Sequence, residues 1–210
     1  MIKLYRKIEP GEFFVAFGDC AQGGTDKNYV QFISKTRGDV PLIIAFNGVA
    51  SELTPMLREA LHYIHDKTKV KPVVAVERQM GGASVMHDLS ISNQEGKFRL
   101  YFAKTFGTSD GEIATPKLGW STDALTRPKM LGEWQNAYNS KLIRIYDKET
   151  QEQHQTFIVT KLGRPEAAQG THDDAVMSMA GAWQLYQTEN PEKTVQHQTT
   201  SGNLTNLWSR

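Results

Sequence analysis

The sequence predicts an α/β fold: a mixed β-sheet flanked by helices on both faces, with a small auxiliary hairpin. Three observations predict it. The runs Phe13–Phe17 and Val73–Val76 are apolar throughout rather than alternating, as expected of strands buried on both faces. Two segments instead repeat apolar residues at helical spacing: Leu53, Met56, Leu57, Ala60, Leu61 and Ile64, then Ala175, Val176, Met179, Ala180 and Trp183. The order is three strands, a helix, a strand, then alternating helices and strands with a closing helix, which argues for a mixed sheet covered on its faces.

Element by element, the first strand runs from Phe13 to Asp19 and ends in a polar, Gly-rich turn. Tyr29 to Ser34 alternates and pairs with it as a hairpin. Leu42 to Val49 makes a third strand, and Ser51 caps a helix that Glu52 opens. Val73 to Val76 is a buried strand that stops at Glu77. Ala83 to Leu89 is helical and Phe98 to Ala103 a strand, whereas Lys104 to Trp120, rich in Gly, Ser and Thr, reads as a loop. Thr122 to Asn139 is a helix interrupted early by Pro128. Leu142 to Tyr146 and Phe157 to Leu162 are short strands, the latter turning at Gly163-Arg164-Pro165. A helix runs from Thr171 to about Gln187. The expected division is one domain over 1–188 and a flexible polar tail over 189–210, with Leu204 and Leu207-Trp208 as its few apolar residues.

Composition excludes several classes. With 210 residues, 39% hydrophobic and 22% charged, the chain has the balance of a globular domain. No apolar run approaches the roughly 20 residues of a membrane span, and Met1–Pro10 lacks the apolar core of a signal peptide. The single cysteine, Cys20, excludes an internal disulfide framework and a multi-cysteine zinc site, so a reducing intracellular setting is expected. Twenty-four Lys and Arg against 23 Asp and Glu leave a net charge of +1. Nucleic-acid binding would therefore need a local basic face, bound metal or a further domain.

Three acidic motifs stand apart from generic α/β structure. Phe17-Gly18-Asp19-Cys20-Ala21-Gln22-Gly23-Gly24-Thr25-Asp26 places a carboxylate at the end of a buried strand, where it needs a partner or a metal; a turn acid at a strand end also accounts for it. Val76-Glu77-Arg78-Gln79-Met80-Gly81-Gly82 repeats the arrangement, with an Arg78 pair or a helix cap as the plainer alternative. Gly170-Thr171-His172-Asp173-Asp174-Ala175-Val176 puts two acids at a helix start, where capping and the helix dipole would suffice. Taken together, two strand ends and a helix start can converge at one sheet edge. Clustered carboxylates repel one another unless cations intervene, and oxygen ligands favour Mg²⁺ or Mn²⁺. A pair of such ions can activate water and stabilise the leaving oxygen of a phosphodiester.

These three motifs, and the Gly-x-His-Asp-Asp segment above all, resemble the nuclease domain of tailed-bacteriophage large terminase subunits, of the RNase H-like superfamily. The resemblance covers roughly residues 10–187. It implies an endonuclease dependent on two Mg²⁺ or Mn²⁺ ions, cutting concatemeric double-stranded DNA during genome packaging in the cytoplasm of the infected host cell. Asp19 and Glu77 would be metal ligands, with one or both of Asp173 and Asp174 as the third. Adjacent helical residues diverge by about 100°, so one direct ligand of the two is expected, with a lean to Asp174. Asp26 would be an accessory ligand or an idle loop acid, and His172 would orient phosphate or water or merely cap the helix. The family's partners are an ATPase motor domain, a portal and a small terminase subunit. The motor's phosphate loop is missing here, since Gly-Lys occurs only at Gly96-Lys97 without a following Ser or Thr. An isolated nuclease domain, unable to translocate DNA by itself, is the expectation.

Candidate phosphate contacts are Arg78, Lys104, Lys117, Arg127, Lys129, Lys161 and Arg164, each of which could equally be solvated surface charge. Trp120, Trp134 and Trp183 are expected in the core. Three rival readings remain open. A junction resolvase or hybrid nuclease would use the same acids. An actin/Hsp70-type ATPase would need further Gly-rich loops and about twice the length. A non-catalytic assembly module would keep the acids only as caps.

Overall fold

The computed structural model of the chain describes residues 1–24, 26–103, 116–159 and 165–192. Its central element is a seven-stranded mixed sheet built from β1 (Ile2–Leu4), β2 (Phe14–Asp19), β3 (Asn28–Ser34), β4 (Asp39–Phe46), β5 (Val73–Val76), β6 (Arg99–Leu100) and β9 (Arg144–Ile145). The order across it is β1-β4-β3-β2-β5-β6, and β9 shares the outer edge of β4 with β1. The first three long strands pair antiparallel as a meander, while β5, β6 and β9 join in parallel. Two small hairpins lie off the sheet: β7 (Phe102–Ala103) with β8 (Lys117–Leu118), and β10 (Phe157–Val159) with β11 (Pro165–Ala167).

The apolar runs are continuous because alternate residues feed two different cores. Phe14, Ala16, Val30, Phe32, Val74 and Val76 face α1 (Leu53–Thr68) and α2 (Gly82–Ser92). Val15, Phe17, Tyr29, Ile33, Val73 and Ala75 face α3 (Thr126–Asn139) and α5 (Asp174–Thr188). Helix α5 lies close against β2: a Cβ on Gly181 would sit 2.4 Å from the Phe17 ring. Trp134 and Trp183 are buried in this second core as expected, and Trp120 is half-buried against it.

Several boundaries differ from the sequence reading for identifiable reasons. Strand β4 begins at Asp39 and ends at Phe46, because its pairing with β3 fixes the register from Asp39↔Ser34 to Phe46↔Asn28. Ser51 is not a helix cap; it lies inside a 3₁₀ turn, Ala50–Glu52, that leads into α1. Helix α3 starts at Thr126, where Asp123 Oδ1 accepts from the backbone N–H groups of Leu125 and Thr126 at 2.8 and 2.7 Å. Pro128 therefore falls in the first turn, where its missing N–H costs nothing, rather than interrupting a longer helix. Helix α5 likewise starts three residues later than expected. The strand expected over Phe98 to Ala103 is two short strands in different sheets, and the expected loop to Trp120 includes β8. Strand β1 and helix α4 (Lys148–Thr156) were not anticipated.

The polar segment from residue 189 does not start free. Lys35 Nζ donates to the Glu189 carbonyl at 2.7 Å, Arg99 pairs with Glu189 and Glu192, and Lys71 reaches Glu192 at 3.4 Å. Leu204 and Leu207-Trp208 lie outside the described residues. Among the described residues, no helix is long and apolar enough to cross a membrane.

Candidate metal-binding active site

Parallel pairing of β2 and β5 in the register Gly18↔Val76 brings the ends of two strands to the same level. Asp19 and Glu77 are the next residues out, and the Glu77 N–H donates to the Gly18 carbonyl at 2.9 Å. The glycines after Glu77 have a steric purpose: a Cβ at Gly82 would stand 1.8 Å from the Glu77 carbonyl oxygen. Only glycine lets α2 start this close beneath the strand end.

The third carboxylate source is placed by α5. Ser178, one turn into the helix, is buried and donates to the Phe17 carbonyl at 2.7 Å, and it accepts the Gln31 N–H at 3.1 Å. This fixes the helix's first residues over the end of β2. Asp173, Asp19 and Glu77 then line one cleft of about 450 Å³, together with Cys20, Gln79, Thr122, Asp123 and Arg127. Asp174 does not line that cleft but lies beside it, and it raises the Asp19 carboxyl more than Asp173 does. Its Oδ2 accepts the Lys27 N–H at 3.1 Å, and one ligand atom each from Asp26, His172 and Asp174 lie within 4.8 Å of one another. His172 Nδ1 is 3.4 Å from Asp26 Oδ1. The adjacent acids thus serve two neighbouring corners of one acidic site, as the divergence of successive residues at a helix start requires.

Electrostatics mark the same cluster. Burial raises the Asp19 carboxyl well above the ordinary range, and Glu77, Asp174 and Asp173 add to the rise, with Arg127 opposing it. Burial also raises Asp174; the Lys27 N–H opposes that rise, and the neighbouring Asp26 and Asp173 reinforce it. Cys20 is pushed up to about 12 by burial and then by Asp19 and Glu77, so its thiol stays protonated and inert at neutral pH. Four crowded carboxylates, two other acids at the rim and few opposing cations form a donor set suited to hard divalent ions, which the carboxyl oxygens of Asp19, Glu77, Asp173, Asp174 and Asp26 and the His172 ring could hold.

Among the expected phosphate contacts in the described residues, Arg127 alone lines the cleft. Arg78 spends one guanidinium nitrogen on the Leu118 carbonyl at 2.7 Å, holding β8 beside the site. Lys117 is exposed on β8, and Lys129 reaches Glu133 along α3 at 3.8 Å. Lys104, Lys161 and Arg164 lie outside the described residues, as does Thr25. The sequence reading missed the wall formed by Thr122, Asp123 and Ala124. Trp120 continues the sheet beside Glu77 as a parallel bridge, its N–H donating to the Val76 carbonyl at 3.0 Å. The one available signal was the Asp123-x-x-Thr126 capping pattern.

No protein-family model matches the sequence, and no curated protein matches it significantly. Solved structures do match. The large terminase nuclease from thermophilic phage G20c with bound magnesium aligns at a TM-score of 0.61 and 15% identity, over 90% of this chain and 86% of that one. The Thermus phage P74-26 large terminase nuclease domain aligns at 0.61 and 14% identity, over 91% and 89%. This chain has the large terminase nuclease fold. The human cytomegalovirus terminase nuclease domain, at 0.58, 13% identity and 83% of each chain, has it too. The RNase H-like mixed sheet expected from the sequence is therefore the observed one. Structures with this fold have been solved with bound magnesium and cobalt and after a manganese soak.

Proposed function

We propose that this chain is a divalent-metal-dependent endodeoxyribonuclease that cuts concatemeric double-stranded viral DNA during genome packaging. The observation that carries the reading is the convergence of Asp19, Glu77 and Asp173 on one cleft at the ends of paired parallel strands, with Asp174 at its shoulder. The likeness to phage and herpesvirus terminase nuclease domains supports the same reading.

In this reading the carboxylates of Asp19, Glu77, Asp173 and Asp174, with Asp26 and His172 beside them, would hold two Mg²⁺ or Mn²⁺ ions. Such ions supply a nucleophilic hydroxide at neutral pH and stabilise the leaving 3′ oxygen. The chain's own residues do the rest. Asp19, on the last position of β2, an interior strand of the sheet, sets the reacting geometry. Arg127 offers a charge-assisted hydrogen bond to the scissile phosphate, and Lys117 and Lys129, with Lys104, Lys161 and Arg164, are proposed backbone contacts without sequence readout. The domain spans 1–188, with 189–210 as a polar tail. A motor domain, a portal and a small subunit are the proposed partners, in the cytoplasm of the host.

The test is plasmid cleavage with Mg²⁺ or Mn²⁺. Asp19→Asn, Glu77→Gln and Asp173→Asn should each lose at least about a hundredfold in rate, as expected when a metal ligand is removed. Glu59→Gln, on the exposed side of α1, should leave cleavage unchanged. Equal cleavage by all variants would refute the site.

A further inference from the structure

We infer that Arg127 is a built-in counter-cation of the acidic cleft, displaced from Asp173 when divalent metal binds and thereby delivered to the DNA phosphate. The inference rests on the nuclease reading and adds a handover to it.

The placement of Arg127 is its first support. It is the second residue of α3, where the positive end of the helix dipole disfavours a cation. Its backbone is locked there: the Arg127 N–H donates to the Asp123 carbonyl at 3.0 Å, and Pro128 follows in the same turn. A cation at the wrong end of a helix needs a compensating partner, and Asp173 supplies it, with Arg127 Nη2 3.3 Å from Asp173 Oδ2. Asp173 is the member of the acid pair that lines the cleft with Asp19 and Glu77.

The strength of the pair is its second support. Both side chains keep about a third of their surface open, 38% for Arg127 and 30% for Asp173, and the contact is a single long one rather than a bidentate fork. Such a pair contributes little and can be exchanged. Arg127 also opposes the charge crowding on Asp19, so it acts on the cluster and not on one carboxylate alone. A divalent ion in the cleft takes over that neutralisation and repels the guanidinium. A long side chain lining the same cleft is then released to take the incoming phosphate as its anionic partner. The cleft thus keeps a weak resident cation until metal arrives and a phosphate clamp after it.

The test measures Mn²⁺ binding to the whole protein without DNA, by the loss of free-Mn²⁺ EPR signal, and plasmid cleavage at saturating Mn²⁺. Arg127→Ala and Arg127→Gln should bind Mn²⁺ about threefold more tightly, because a weak competing charge is gone. Both should cleave about tenfold or more slowly, because a transition-state donor is gone. Arg127→Lys should restore wild-type Mn²⁺ affinity and only part of the rate, since lysine keeps the charge but not the fork. Weaker or unchanged Mn²⁺ binding in Arg127→Ala and Arg127→Gln would overturn the counter-cation role, and tighter binding with undiminished cleavage would overturn the handover. If wild type itself binds no Mn²⁺, the nuclease reading fails first, and that result is distinct from either.

Discussion

The Ser178 hydroxyl donates to the Phe17 carbonyl at 2.7 Å, and this contact ties helix α5 to β2 two residues before Asp19. The same oxygen accepts the Gln31 N–H, so Ser178 satisfies one backbone group on each of two central strands. Ser178→Ala would remove that hydroxyl from both groups, which remain opposed to each other in the β2–β3 ladder. We expect a loss of about 1 kcal/mol in urea unfolding, from a helix-to-sheet hydrogen bond given up while the ladder persists. Metal affinity should fall in the same variant, because Asp173 and Asp174 lose their register against Asp19. Undiminished Mn²⁺ affinity in a destabilised Ser178→Ala would show that α5 holds its acids by other means.

Two glycines make a matched pair of opposite sign. At Gly82 a Cβ would overlap the Glu77 carbonyl, which belongs to the strand and cannot yield cheaply. Gly82→Ala should cost about 1–3 kcal/mol or more and displace Glu77, so cleavage should fall with stability. Gly132, in the middle of α3, would meet nothing within 4 Å. Gly132→Ala should therefore stabilise by about 0.5–1 kcal/mol and leave cleavage as it is. Thermal melts of both variants, beside plasmid assays, check the contrast.

How much of this was legible in the sequence depends on how each element is held. Strands β2 and β5 and helices α1 and α5 announce themselves because apolar periodicity is what buries them. Helix α4 does not, because its buried residues are Thr150 and Gln153. It is seated by polar contacts, Gln31 Nε2 to Thr150 Oγ1 at 2.9 Å and the Ala175 N–H to Gln153 Oε1 at 2.8 Å, which leave no hydrophobic pattern. The acids Asp19 and Glu77 could be paired from sequence because each closes an apolar run. Which corner Asp173 and Asp174 occupy could not, since it follows from the Ser178 anchor 161 residues away from its partner Phe17. Thr122 and Asp123 join the cleft only through the bridge that seats Trp120 beside Glu77.

Helix α4 also carries a pH dependence. His154 Nε2 accepts from Trp134 Nε1 at 2.8 Å and its Nδ1 lies 2.6 Å from the Thr150 carbonyl, so the neutral ring with hydrogen on Nδ1 satisfies both contacts. Burial lowers its pKa to about 4, from 6.5 in the unfolded chain, against the smaller opposing effect of the Thr150 carbonyl. Between those values the unfolded state binds the extra proton, so this stability is complete above pH 6.5 and is lost as pH falls toward 4. The loss should amount to about 3 kcal/mol. The raised carboxyls of Asp19 and Asp174 act in the opposite direction, so the comparison is with His154→Gln. Urea unfolding at pH 7 and pH 4.5 should show the wild type's advantage over that variant shrinking. An advantage that persists at pH 4.5 would mean that His154 stays charged and tolerated in its seat.

The acid cluster itself should behave as a stored repulsion. Asp19 is desolvated and faces Glu77, Asp174 and Asp173, with Arg127 as the opposing charge. Without metal at neutral pH, neutralising one member removes more repulsion than it forfeits in contacts. Asp19→Asn should therefore melt about 2–4 °C above wild type in EDTA, the shift expected for roughly 1 kcal/mol in a chain of this size. Adding Mn²⁺ should reverse the order. Wild type gains RT ln(1 + [L]/Kd), about 2.7 kcal/mol at a hundredfold excess over Kd, and Asp19→Asn gains little because a proposed ligand is gone. The crossing of the two melting curves between EDTA and Mn²⁺ is the signature of carboxylates placed for a cation rather than for the fold. If Asp19→Asn is the less stable protein in EDTA and both gain equally from Mn²⁺, Asp19 is a structural strand-end acid, and the metal binds elsewhere.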